Sequence, residues 1–96
     1  MMETIYTVKY TANFKKGYKL AIKQNKNINL LRYVVTLLAK GEALPNKYHD
    51  HGLSGCLTGY RECHIMPDWL LIYRINNEKL ILTLTHMGSH SDLFNK

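Results

Sequence analysis

Thiols and prolines are scarce: Cys56, Cys63, Pro45 and Pro67 are the only ones among 96 residues. Two cysteines cannot build a disulfide framework. A two-residue turn at Thr58-Gly59 would set Cys63 opposite Ser54 and Cys56 opposite Arg61, so both read as reduced packing residues. No apolar run approaches the roughly 20 residues that cross a bilayer. The start, "MMETIYTVKY", lacks the basic and apolar stretches of a signal peptide. No membrane association is expected, and the cytoplasm is the default address. There is no Gly-rich phosphate loop, which argues against nucleoside triphosphates. There is no C-x-x-C, no H-E-x-x-H and no usual four-ligand spacing, so neither a metal nor another cofactor is expected. Acidic residues are also few, 7 against 13 Lys and Arg, leaving a net charge of +6. Such a surface favours phosphate backbones or an acidic protein partner. It equally suits a surface that is merely soluble, so charge alone does not choose.

What is present reads as one domain over residues 1–96, short enough for a single core. "ETIYTVKY" alternates with a period of two and predicts a strand. From Thr11 the period lengthens: Phe14, Tyr18, Ala21 and Ile22 form one helical stripe, with a lysine-rich face opposite. "NKNIN" offers Asn27 or Asn29 as the cap of a second helix, with Leu30, Leu31, Val34, Leu37 and Leu38 turned inward and Gly41 as its stop. Residues 41–52 read as a loop, followed by strands at about 53–57, 60–66, 69–76 and 79–87. Turns at Thr58-Gly59, Pro67-Asp68 and Asn76-Asn77 force antiparallel pairing. The order is β-α-α-β-β-β-β, an α+β fold with two N-terminal helices packed on one face of a mostly antiparallel sheet. Parity about the Pro67-Asp68 turn assigns Cys63, Ile65, Leu70 and Ile72 to the helix-covered face. Glu62, His64, Trp69, Leu71 and Tyr73 then belong to the open one.

All five histidines, His49, His51, His64, His86 and His90, lie in the C-terminal half with Asp50, Asp68, Asp92, Arg61 and Arg74. That combination suits metal-free phosphodiester cleavage. A base takes the ribose 2′-hydroxyl proton, an acid protonates the departing 5′-oxygen, and cations stabilise the phosphorane. Imidazole serves both transfers because it titrates near neutrality. Each residue also has an ordinary explanation. A lone strand histidine is more often structural, a tryptophan after a turn is usually core, and a lysine-rich helix face is most often simply solvated.

Three segments, "LPNKYHDHGLSG", "GYRECHIMPDWLLIYRI" and "MGSHSDLF", together resemble the YafQ-type toxins of the RelE superfamily, ribonucleases of bacterial type II toxin–antitoxin systems. The match is close from about Leu44 to Phe94 and follows the pattern alone before that. The resemblance implies a compact RelE-like, microbial-RNase-like fold and ribosome-dependent cleavage of mRNA in the ribosomal A site without a metal. It also implies inhibition by a cognate DinJ-type antitoxin, with operator DNA bound only by the toxin–antitoxin complex. His90 is then the expected general acid, while His51, His64 and Asp68 share the general-base and orienting work. Trp69, Phe94, His86, Arg74 and Arg61 are the expected RNA-binding residues. His86 stands where the family typically carries arginine, which replaces a permanent cation by one that titrates. The alternative reading is a non-catalytic RNA- or ribosome-binding protein that has kept the toxin fold. A metal-dependent hydrolase is a third.

Overall fold

The computed structural model describes residues 4–94, and of Phe94 the backbone alone. Strand β1 (Thr7–Tyr10) leads into helices α1 (Ala12–Lys23) and α2 (Ile28–Ala39). A connecting loop then leads to β2 (His51–Gly52), β3 (Arg61–Met66), β4 (Trp69–Asn76), β5 (Ile81–Gly88) and the short helix α3 (His90–Phe94). The sheet order is β1-β5-β4-β3-β2. β1 runs parallel to β5 and every other pairing is antiparallel. The α+β class and the element order agree with the sequence reading.

Local signals set the helix limits. Thr11 caps α1 by accepting from the Phe14 N–H at 3.1 Å, and its hydroxyl donates to the Thr85 carbonyl of β5. Asn27 caps α2 by accepting from the Asn29 N–H. Both helices end in the same double bond pattern. In α1, Asn25 takes a positive φ of 58° while Asn25 and Lys26 donate to the Ile22 and Ala21 carbonyls. In α2, Gly41 takes φ 75° while Gly41 and Glu42 donate to Leu38 and Leu37. These left-handed stops satisfy the last carbonyls and turn the chain sharply. The two helices therefore fold back on the same side of the sheet, where Phe14, Ala21, Leu31, Val34 and Leu38 pack against Cys63, Leu71, Leu82, Leu84 and Met87.

The expected strand at 53–57 does not form. The segment turns through a 3-10 helix at Gly55–Leu57, and the pairing strand is the two-residue β2, with His51 opposite Glu62 and Gly52 opposite Arg61. Gly55 and Gly59 both adopt positive φ, which breaks an extended run. On the β2 side the ladder ends at His51 and Glu62, so Cys63 has no Ser54 partner, and Cys56 lies exposed in the 3-10 turn. Cys63 is a buried packing residue as expected, but Cys56, expected to pack, is exposed, because its segment forms a turn rather than a strand.

The face assignment of the hairpin is corrected as well. Met66 pairs with Trp69, but His64 pairs with Leu70, so the strand carries one extra residue between them. A bulge of one residue reverses parity beyond it. Trp69 therefore turns inward, 2% exposed, and joins Cys63, Ile65, Leu71 and Tyr73 in the helix-covered core. Leu70 and Ile72 move to the other face, in register with His64 and Glu62.

Candidate active site

Histidines converge on the sheet face away from the helices. Register places His51, Glu62, Ile72 and His86 in one row across β2 to β5, and His64, Leu70 and Gly88 in the next. Leu70 and Ile72 are buried and form the floor. His64 is the hub: its ring centroid lies 5.6 Å from those of His49 and His90 and 6.3 Å from that of His51.

Carboxylates orient these rings. At the hairpin tip, Asp68 Oδ1 accepts from the backbone N–H of His90 at 3.0 Å and from its Nδ1 at 2.9 Å. One side chain thus fastens the start of α3 and fixes the orientation of the His90 ring through Nδ1. The His90 backbone N–H, and then its ring, hold the Asp68 carboxyl below the usual carboxylate range. Glu62 is buried, with Oε1 3.2 Å from His51 Nε2 and 3.6 Å from His64 Nε2. Its Oε2 is buried and has no hydrogen-bond partner among the described residues. A buried polar atom left unpaired is destabilising, and such atoms concentrate where function requires them.

The loop that carries His49 and His51 is fixed from the opposite side. His49 adopts a left-handed conformation, φ 50°, and its carbonyl accepts from His51 Nδ1 at 2.7 Å. Between them Asp50 turns toward the core face. Its Oδ1 accepts from the buried Tyr73 hydroxyl at 2.6 Å, and Arg61 donates to Oδ2 at 3.3 Å. Burial, then the bond to Asp50, pushes the Tyr73 hydroxyl well above the usual phenol range, so it remains a donor.

The fold brings together His51, His64, Asp68 and His90. Trp69 is buried and presents no surface to a base. Arg61 is committed to Asp50, in register with Tyr73 on the other face. Arg74 shares the histidine face further along β4, its guanidinium 5.5 Å from the Tyr60 ring centre. His86 lies in the row of Glu62 and borders a recess with Asn13, Lys16, Leu20 and Asp92. The side chain of Phe94 lies outside the described residues. Two members of the cluster, Glu62 and His49, were not among the expected site residues. The spacing Glu62-x-His64 carried a signal, since alternate strand residues share a face.

Residues 6–95 match the family model described as bacterial toxin of type II toxin-antitoxin system, YafQ. The chain belongs to the YafQ toxin family. It is 40% identical over 88 residues to the mRNA interferase toxin YafQ of Escherichia coli K12, covering 91% of this chain and 94% of that protein. It is similar to the toxin in the E. coli DinJ–YafQ toxin–antitoxin complex, with a TM-score of 0.86 and 38% identity over 94% of this chain and 98% of that one. A metal-bound toxin from Helicobacter pylori aligns with a TM-score of 0.88 and 42% identity, over 93% of this chain and 99% of that one. Among the described residues here, no three His, Cys, Asp or Glu side chains converge closely enough to hold a metal ion.

Proposed function

We propose that this member of the YafQ family is an mRNA interferase that cleaves ribosome-bound mRNA by general acid–base catalysis without a metal, and that a DinJ-type antitoxin silences it. The observation that carries the reading is the ring of histidines around His64, with one imidazole held by Asp68 and another beside the buried Glu62. The named activity of the E. coli relative supports it.

In this mechanism the cluster of His51 and His64 beside Glu62 accepts the proton of the ribose 2′-hydroxyl. The 2′-oxygen attacks phosphorus, and the phosphorane charge faces the imidazoles. The bond to the 5′-oxygen breaks as His90, oriented through Nδ1 by Asp68, protonates the leaving oxygen from Nε2. The products are a 2′,3′-cyclic phosphate and a 5′-hydroxyl end. Few cations address the phosphate directly, so the ribosome supplies the geometry of the substrate. Holding reactants in place can contribute several kcal/mol.

Expression without an antitoxin should arrest growth and truncate mRNA. His90→Ala should reduce cleavage by about 10²–10⁴-fold while the melting temperature stays near that of wild type. A folded, equally toxic His90→Ala protein would remove His90 from the acid role. Cleavage should also persist after the protein, dialysed against EDTA, is returned to ribosomes in magnesium. Activity restored only by zinc or copper would overturn the metal-free mechanism.

A further inference from the structure

In-line cleavage imposes a demand beyond proton transfer. The 2′-oxygen, phosphorus and the departing 5′-oxygen must align, which forces the two flanking nucleotides apart and breaks the stacking of their bases. An unstacked base needs an apolar surface to replace the one it lost. Trp69, the aromatic of the hairpin tip, is buried and cannot provide it.

Beside the cluster lies a cleft of about 560 Å³ between the start of α2, the loop before β2 and the tip of the β3–β4 hairpin. That volume falls within the roughly 300–1,000 Å³ typical of small-ligand sites. Leu30, Met66 and Pro67 supply apolar walls, and His49 and His64 are shared with the catalytic cluster. Met66 is 46% exposed, a large apolar side chain left in water directly next to a polar site. The register shift between His64 and Met66 lies along the cleft wall, at the same point where the chain turns Trp69 inward. Lys47 stands at the cleft, its ammonium 5.3 Å from the Tyr48 ring centre.

We infer that this cleft holds the unstacked base of a nucleotide next to the scissile phosphate, with the base against Met66 and Leu30 and Lys47 taking the adjoining phosphate. The inference rests on the proposed ribonuclease reading and deepens it, because a base seated here would contribute to sequence preference. Continuity with the cluster through His49 and His64, together with the positive charge of Lys47, identifies RNA as the occupant. A protein segment would need no access to the catalytic histidines.

The probe is a set of 2′-O-methyl trinucleotides, which cannot be cleaved because the attacking hydroxyl is blocked. On titration, the Met66 methyl and Leu30 methyl resonances should shift together with the His64 ring signals. Met66→Ala should weaken trinucleotide binding about tenfold. In ribosome-supported cleavage it should raise KM more than it lowers kcat and broaden the choice of cleavage sites. Leu30→Trp, which fills the cleft, should give the same changes, and its folding is checked by thermal unfolding. Resonance shifts that leave Met66 and Leu30 unmoved would overturn the inference. Unchanged affinity and cleavage sites in Met66→Ala would overturn it too. The two readings separate cleanly. If trinucleotides seat in the cleft but the wild type cuts no mRNA, the catalytic reading fails alone. If the wild type cuts and the cleft stays silent, the cleft fails alone.

Discussion

Asp68 links the hairpin tip to His90, the proposed general acid, through two bonds from His90, and those bonds depress its folded-state pKa. The sign follows from linkage. A depressed carboxyl contributes stability that is fully present above its unfolded value, about 3.9, and is lost as pH falls through the lower folded value. The attachment of α3 should therefore persist through the neutral range and loosen only in acid below about pH 4. Backbone amide signals of 89–92, followed against pH, would check this, and loss of the attachment between pH 6 and 8 would contradict it. Asp68→Asn keeps an acceptor for the backbone N–H but removes the negative charge beside the imidazole. Because Asp68 is exposed, thermal stability should change little. Single-turnover cleavage should fall roughly 10- to 100-fold, somewhat less than the loss of the acid itself. Wild-type cleavage by this variant would show that His90 needs no anionic partner. At this scale the family resemblance singled out His90 as the acid and left His51, His64 and Asp68 to share the general-base and orienting work. That His64 is the hub, with Glu62 beneath it, depends on which strands lie side by side.

The contact of α1 with β5 sets how closely helix and sheet approach. Gly17 lies over the strand, and a Cβ there would sit 2.1 Å from the Met87 carbonyl oxygen. In an exposed helix interior, Gly→Ala stabilises by about 0.5–1 kcal/mol. Here the sign should reverse, because the obstacle is backbone and α1 must lift. Gly17→Ala is expected to destabilise by roughly 1–3 kcal/mol, or about 4–8 °C in Tm for each kcal/mol. A melting temperature equal to or above wild type would refute the close approach. The helices themselves were legible, since Thr11, Asn27 and Gly41 act through local chemistry. The hairpin was legible in position but not in facing. Nothing local to "CHIMPDW" announces an extra residue between His64 and Met66. The bulge is stabilised by the burial of Trp69 against the helices, a contact distant in sequence.

Over the whole molecule, charge and burial set what approaches and what stays protected. The net charge of +6 should make association with an acidic antitoxin fast and sensitive to ionic strength. Stopped-flow rates should drop severalfold between about 50 and 500 mM salt, as screening shortens the Debye length, and a flat profile would contradict electrostatic steering. Burial raises the Cys63 thiol to about 12, and the side chain is fully enclosed, whereas Cys56 is exposed. A thiol reagent at neutral pH should modify one cysteine in the native protein and both in denaturant. Two rapid modifications of the folded chain would mean that the core opens. Among the described residues, no helix is long and apolar enough to cross a membrane. By itself the sequence determined the α+β class, the helix limits, the basic surface and the residue types of the site, because periodicity, capping and composition are properties of neighbours along the chain. Only the tertiary structure decided that Trp69 is core, that Arg61 serves Asp50, and that His49 and Glu62 join the histidine ring. Each of those outcomes turns on strand register and on which face the helices cover, and both are chosen by burial between segments far apart in sequence.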